Sequence, residues 1–413
     1  MTTAPARRSV FDAALPTVAY HGVRCPDQAH EIIAAARQQA PIAMGPFGPE
    51  LLTYDLVRLA LRDSRFAMPQ ANGLAMQGIT AGPLWDKVSA LIVGLDGAEH
   101  RRLRRLVSRA FTPRAAERMR TACRDIMTEL IDQHVDAGHC DVVADIAKPY
   151  PVPIICATIG VPRDDWDLFS HWLRGIAKAF GPTPTAHTAA ILQAWQHLDT
   201  YLEDLIERRC RTLTDDLISE LIRAEDDGDQ LSRREILDLI AVLLVAGTDT
   251  TRNQLAAAVQ VLSDHPEQWA LLARRPELAA QAVEEVMRHS PASFSAIRVT
   301  VEDADFNGIV VTAGTCLVVN AAAANRDPAR YDEPERFDVT RHNSAAMLTF
   351  GGGAHHCLGA HLARVELAEA LVVMTRRMTH IRRTGPAPWR PIVGIAGPQT
   401  LPVEFQTQAN AAR

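Results

Sequence analysis

Around Cys357 the chain reads TFGGGAHHCLGAHLARVELAEAL, residues 349–371: a run of glycines, two histidines, one cysteine and the start of an apolar helix. His361 follows one turn later. Four chemistries place a cysteine in such company: a zinc site, a nucleophilic thiol, a buried structural cysteine, or a thiolate on haem iron. A structural zinc site takes four Cys or His ligands in paired short spacings. His355, His356, Cys357 and His361 crowd along one segment, with no second cluster to complete a tetrahedron. A nucleophilic thiol needs a general base and an acceptor site, and nothing in the sequence specifies them. A buried structural cysteine needs no glycines before it. The haem thiolate uses the most of the segment. Gly351 and Gly353 would let backbone N–H groups come close to the sulfur and donate to it. Cys357 would lie at a helix N-terminus, whose dipole favours the thiolate, and Gly359 would let the backbone lie beside a flat macrocycle. A thiolate ligand pushes electron density onto iron and promotes O–O cleavage.

A second stretch, LSRREILDLIAVLLVAGTDTTRNQLAAAVQVLSDHP at 231–266, has the apolar periodicity of one long helix. Ser232 and Glu235 make an S-x-x-E capping box at its start, and Pro266 marks its end. Leu239 to Ala246 is apolar all round, as in a helix buried through a core. Gly247 and the adjacent threonines each weaken such an interior by several tenths to about 1 kcal/mol relative to Ala. Asp249 there carries a desolvation cost. In the plain reading a Thr hydroxyl bonds back to the carbonyl one turn earlier and Asp249 reaches solvent. In the functional reading the helix has a local groove, and Asp249 beside Thr250 relays protons from water to a buried reacting atom.

Glu285 and Arg288 stand at i, i+3 in EEVMR, on one helix face. Such a pair is commonly an exposed ion contact. With Arg336, from the turn-forming YDEPERFDVTR, it would instead pin a meander to the helix. In AEHRRLRRLVSRAF, His100 and Arg104 share a face at i, i+4 and would jointly clamp an anion such as a carboxylate. Arg101, Arg105 and Arg109 read as a basic amphipathic surface.

These residues need a scaffold, and helical periodicity dominates it. PEQWALLARRPELAAQAVEEVMRHSP and LARVELAEALVVMTRRM repeat apolar residues at helix spacing. FNGIVVTAG followed by TCLVVNAAAA reads as a hairpin, and LPVEF as a further strand. FAMPQANGLAMQGITAGPLWD and FGPTPTAH are irregular, punctuated by Gly and Pro. With no repeat and no domain joint, the expectation is a mainly α fold with a minor β part. It forms a single domain over 1–413, with about residues 1–20 as a poorly ordered arm. A hydrophobic share of 47%, a charged share of 22% and a net charge of -6 are ordinary for a soluble protein, with no global attraction to nucleic acid or an anionic membrane. Seven dispersed cysteines without a C-x-x-C pair argue for a reducing compartment. The N-terminus lacks the apolar core of a signal peptide, and no run of roughly 18 apolar residues occurs. The chain therefore reads as cytoplasmic and monomeric.

FGGGAHHCLGAHLAR resembles the haem-binding signature F-G-x-G-x-H-x-C-x-G-x-x-L-A-R of the bacterial cytochromes P-450, and every fixed position matches. AGTDTT resembles that family's oxygen-activation motif, EVMR its E-x-x-R and PERF its meander arginine, in family order from about His100 onward. The resemblance implies a triangular helical bundle around haem b, with small β-sheets and a long central helix. It implies Cys357 as the proximal iron ligand, with Phe350, Gly351 and Gly359 in the surrounding loop. His100, Arg104, Arg298 and His355 would meet the haem propionates, and PASFSAIR departs from the commoner pattern ahead of Arg298. Ala246 and Gly247 would line the bend where dioxygen binds, and Asp249 and Thr250 would deliver protons. Glu285, Arg288 and Arg336 would be structural.

The implied reaction is monooxygenation: one atom of O2 enters a C–H or C=C bond and the other leaves as water. The chain has no Rossmann fingerprint and no iron–sulfur cysteine cluster. Electrons would therefore come from NAD(P)H through a separate ferredoxin reductase and ferredoxin, with Arg101, Arg105 and Arg109 as docking charges. Substrate-facing residues would be ANGLAMQGITAGPLW, GIAKAFGPTPTAH, Leu243, Ala246, Ser293 to Ile297 (including Phe294) and Ile395. They are apolar and suit a terpenoid, steroid, fatty acid or polyketide. A haem-based gas sensor has no need of a proton relay, and peroxide-driven relatives usually lack the acid–alcohol pair.

Overall fold

The computed structural model describes residues 7–181, 183–226, 228–342 and 345–407. The long apolar periodicities become helices, and four of these position the residues above: α1 (Gly97–Ser108), α2 (Arg233–Ser263), α3 (Ala279–His289) and α4 (Ala360–Arg377). The capping box at the start of α2 is complete: Glu235 N–H donates to Ser232 Oγ at 3.3 Å, and Ser232 N–H to Glu235 Oε2 at 2.7 Å. Its first turns, Ile236 to Val242, are buried, as are Leu255 to Ala258 beyond the Gly-Thr-Asp-Thr interruption. The helix ends at Ser263, and Pro266 begins the next helix, Pro266–Arg274. α2 packs against both α3 and α4. Gln254 fixes α2 to the segment after α3, donating to Ser290 O at 3.0 Å and accepting from Ala292 N–H at 2.9 Å. α1 turns Leu103, Leu106, Val107 and His100 inward and Arg101 and Arg105 outward.

The strands are short and form four sheets among the described residues. β1 (Arg8–Ser9), β2 (Ile42–Gly45), β3 (Gly48–Leu51), β4 (Phe66–Ala67), β5 (His139–Asp141), β6 (Glu225–Asp226) and β7 (Asp229–Gln230) come from the first part of the chain. β8 (Ser295–Thr300), β9 (Ala304–Phe306), β10 (Ile309–Val311), β11 (Cys316–Asn320), β12 (Thr379–Arg383) and β13 (Pro402–Gln406) come from the last. The main sheet has the order β2-β3-β11-β8-β4, so β3 lies parallel to β11, with Glu50 and Leu51 opposite Val318 and Val319. The others are β1-β10-β9, β12-β13-β5 and the hairpin β6-β7. LPVEF is β13, as expected.

Two expectations are corrected. The hairpin is β9–β10 alone, turning at Asn307 and Gly308 with φ of 55° and 93°, the Asn-Gly turn that matches strand twist. Cys316–Asn320 crosses to β8 and β3 instead, because the chain bends at Gly314 (φ 82°), whose N–H donates to Thr300 O at 2.7 Å. Residues 7–20 are not a loose arm. β1 pairs with β10, Val18 N–H donates to Met44 O at 3.0 Å, and Val10, Val18 and Tyr20 are fully buried. Residues 1–6, and Pro182 in FGPTPTAH, lie outside the described residues. One segment, Val142–Ile159, is long and apolar enough to cross a membrane, and more than half of it is buried in this fold.

Candidate active site

Cys357 closes the loop before α4, its N–H donating to Phe350 O at 2.9 Å. Gly351 and Gly353 adopt φ of 71° and 63°, the left-handed region that glycine enters without a Cβ penalty. Gly353 also presses on a neighbouring helix end: a Cβ there would come 2.4 Å from Leu61 O. These glycines shape the loop, and the Gly351 N–H donates to Leu348 O at 2.9 Å rather than to the sulfur. The backbone N–H that favours the thiolate is that of Gly359. Burial pushes the Cys357 thiol up, and that N–H together with Arg104 and Arg364 opposes the shift. Protein surrounds the sulfur on most sides, yet Cys357 keeps accessible surface, and a Cβ on Gly359 would meet nothing within 4 Å. The loop can thus accept a flat group against its sulfur and helix start.

Basic groups converge beside this loop. His100 and His355 lie with ring centroids 4.1 Å apart, and His355 Nε2 is 2.7 Å from Asp96 Oδ1. Arg298, on β8, is buried, donates to Ile297 O at 2.9 Å, and has Asp96 as its nearby opposite charge. Burial holds the Arg298 guanidinium below its ordinary value and, with His355, brings His100 down to about 4. Arg104 reaches the cysteine loop, donating to His356 O. The four expected anion contacts therefore share one locality, and Asp96, which the sequence reading missed, sits among them. Its position just ahead of α1 was visible, but its partner lies across the fold. A set of buried and half-buried cationic and imidazole groups at such a site fits a ligand carrying carboxylates.

The middle of α2 is the third component. Between buried flanks, Ala246 is exposed and Gly247 to Thr250 are half-buried, so the helix opens where the sequence interrupts its apolar run. Thr250 Oγ1 donates back to Ala246 O at 2.6 Å, and Thr248 Oγ1 to Leu244 O at 2.6 Å, the plain arrangement for threonine in a helix. Asp249 does not simply reach water: Arg252 Nη2 lies 2.5 Å from its Oδ1. On α4, Glu366 is a buried carboxyl that desolvation raises to about 8, with the Thr251 hydroxyl of α2 opposing the shift.

Comparison with known proteins decides what this arrangement is. The cytochrome P450 family model matches residues 87–274 and 268–387. The chain is 40% identical over 367 residues to the mycinamicin IV hydroxylase/epoxidase of Micromonospora griseorubida, covering 87% of this chain and 90% of that protein. It is 36% identical over 377 residues to the luteothin monooxygenase of Streptomyces thioluteus, covering 90% and 92%. The structure of cytochrome P450 CYP109Q5 from Chondromyces apiculatus superposes with a TM-score of 0.84 at 30% identity, over 95% of this chain and 98% of that one. The chain belongs to the cytochrome P450 family. It is a monooxygenase, and membership implies haem, dioxygen, a small-molecule substrate and redox partners.

In this P450 the Glu285–Arg288 pair is fully buried and bidentate, at 2.7 and 2.9 Å. Arg288 also donates to the carbonyls of Asn325, Pro334 and Arg336. The second arginine of the cluster is not Arg336, whose side chain is exposed and pairs with Glu333 and Asp338. It is Arg341, at the end of the same YDEPERFDVTR stretch, 3.1 Å from Glu285 Oε1. The meander's turns point the Arg336 carbonyl, not its guanidinium, at the helix.

The residues expected to line the substrate wall differ in their exposure. Ile297 and Leu243 are half-buried, and Ile395 is 40% exposed and bridges to Ser293. Phe294 is a correction: it is fully buried and packs its ring against Tyr20, His30 and Trp389, away from any open surface. Its neighbours in the extended segment take the other face.

Proposed function

We propose that this P450 hydroxylates or epoxidises a hydrophobic small molecule, using electrons from NAD(P)H passed through a separate ferredoxin reductase and ferredoxin. Cys357 would hold haem iron, and His100, Arg104, Arg298 and His355 its propionates. When bound, haem supplies the redox centre at which dioxygen is activated. The chain's own residues would do the rest. The Gly351–Gly353 loop presents the sulfur, and the Gly359 N–H tempers its charge. The opening at Ala246 and Gly247 gives dioxygen room. Asp249 would carry a proton from water to the Thr250 hydroxyl, which turns from Ala246 O to pass it on. The apolar residues Leu243, Ile297 and Ile395 would exclude water and orient the guest. Arg101 and Arg105 would present positive charge to an acidic electron donor.

The observation that supports this reading above others is the meeting of buried His100 and Arg298 with half-buried His355 beside the cysteine loop. Asp96 alone is a single negative charge among these groups, and two propionates would supply the remainder. Both reaction outcomes find support in the mycinamicin IV hydroxylase/epoxidase. The test is spectroscopic and chemical. Carbon monoxide added to the reduced protein should move the Soret band far to the red, and Cys357→His should abolish that shift. With isotopically labelled dioxygen, a reductase and a ferredoxin, one labelled atom should enter a lipophilic substrate. Iron held through histidine, or product formed without the ferredoxin, would overturn the proposal.

A further inference from the structure

Asp249 is held from two directions. Its Oδ1 meets Arg252 Nη2 at 2.5 Å, within α2, and its Oδ2 lies 3.9 Å from Arg390 Nη2. Arg390 comes from another part of the chain, the turn Trp389–Pro398, which is closed by a bridge between its end residues and by Arg390 N–H donating to Gly397 O at 3.1 Å. The turn is rooted on α2 at two points. Trp389 Nε1 donates to Gln260 Oε1 at 2.7 Å, and Arg390 Nη2 donates to Asn253 Oδ1 at 3.0 Å. Gly397 lies so close to Asn253 that a Cβ would come 2.6 Å from its Oδ1. At the tip, Val393 and Ile395 are large apolar side chains left 47% and 40% exposed, and Ile395 is one of the residues proposed above to orient the guest.

One guanidinium therefore bridges the apolar tip and the acid of the acid–alcohol pair. Arg252 lies on the same helix as Asp249 and moves with it, so it carries no signal from outside α2. Arg390 does. A carboxylate held by one arginine can still swing about its own side-chain bonds. A second cation, itself fixed by Asn253, selects one orientation, and proton transfer depends steeply on such placement.

We propose that Arg390 is a positioning residue for proton delivery, holding Asp249 in a two-arginine clamp and tying that carboxylate to the substrate-facing Val393–Ile395 tip. This rests on Asp249 being the proton-delivering acid, so the experiment tests both statements separately. Full-length haem-loaded protein carrying Arg390→Gln, Arg390→Lys or Asp249→Asn is compared with the parent. Four quantities are read: product formed per NAD(P)H consumed, the solvent deuterium isotope effect on turnover, spectral titration with a lipophilic ligand, and amide exchange over residues 390–397.

Arg390→Gln should lower coupling by about fivefold, the scale of a half-screened ion contact, with the lost reducing equivalents recovered as hydrogen peroxide. Its solvent isotope effect should rise, while ligand affinity stays within about twofold because the Trp389 anchor remains. Arg390→Lys should recover most of the coupling. Parent-like coupling in Arg390→Gln beside an uncoupled Asp249→Asn would overturn the role of Arg390 alone. Equal uncoupling in both Arg390 variants, with faster amide exchange in the turn, would reduce that role to packing and overturn it too. Full coupling in Asp249→Asn would overturn the relay reading beneath it.

Discussion

Arg341→Ala should destabilise the protein far more than Arg336→Ala, although the two arginines are neighbours in one meander. The Arg341 side chain is 12% exposed and reaches Glu285 Oε1 at 3.1 Å. It also donates to the carbonyls of Asp332 at 2.7 Å, Glu333 at 3.0 Å and Arg336 at 2.7 Å. Breaking a buried ion pair costs about 3–5 kcal/mol, because the surviving charge stays buried. Glu285 keeps the bidentate Arg288 and the Asp338 N–H, which lowers that figure. The lost hydrogen bonds to meander carbonyls, each worth about 1.5 kcal/mol or more from a charged donor, bring it back. About 3–4 kcal/mol is the resulting loss. With a urea slope of roughly 3 kcal/mol per molar, the midpoint should fall by about 1 M. Among the described residues the Arg336 side chain meets Glu333 and Asp338 at the surface, while its backbone carbonyl does the structural duty, so Arg336→Ala should leave the midpoint unmoved. Far-UV circular dichroism in urea, at fixed haem content, reads both. An Arg336→Ala midpoint as low as that of Arg341→Ala would refute the reasoning.

Glu366 supplies a pH prediction. Burial raises its carboxyl from 4.5 to about 8, so the folded protein keeps it neutral while the unfolded chain ionises it above the lower value. Its contribution is therefore fully present below about pH 4.5 and is lost as pH rises toward 8. Glu366→Gln, neutral at every pH, should match the parent near pH 5 and exceed it at pH 8 by roughly 3–5 kcal/mol; a gap between urea midpoints that fails to widen would contradict this. Gly353→Ala should cost about 1–3 kcal/mol of backbone strain, and its Cβ would meet Leu61 O as well. A purified variant with parent-like haem content and an unchanged carbon monoxide spectrum would remove the loop's claimed need for glycine.

The legible parts of this protein were those with a local cause. α2 announced itself through the capping box and the all-round apolar run, and its interruption at Gly247 to Thr250 is where the helix opens. The Glu285–Arg288 pair needed only helix spacing, since i and i+3 share a face. The meander arginine was misplaced because turns have no period. Nothing in YDEPERFDVTR says whether Arg336 sends its side chain or its carbonyl inward. Phe294 was assigned to the substrate wall by proximity, yet alternation along an extended segment puts it on the side of buried Arg298, with Ile297 on the other. The glycines of the cysteine loop were legible as conformational devices, but that the Gly351 N–H turns back to Leu348 O was not, because the partner of each N–H depends on the loop's full path. Asp96 and Arg390 were invisible, since their partners His355 and Asp249 lie far from them along the chain.

The parallel pairing of β3 with β11 joins residues near 50 to residues near 318, and it has a consequence for how the molecule is made. On the ribosome, β2 and β3 emerge early and must wait, with an unsatisfied edge, through the synthesis of every helix between them and β11, α1 to α3 among them. β1 waits likewise for β10. Cys357 is later still, so the residues that would grip the cofactor are split between both halves of the nascent chain. Cofactor capture then belongs to the end of synthesis, after the sheet has closed, and a chain stalled short of β11 would carry two open strand edges exposed to aggregation.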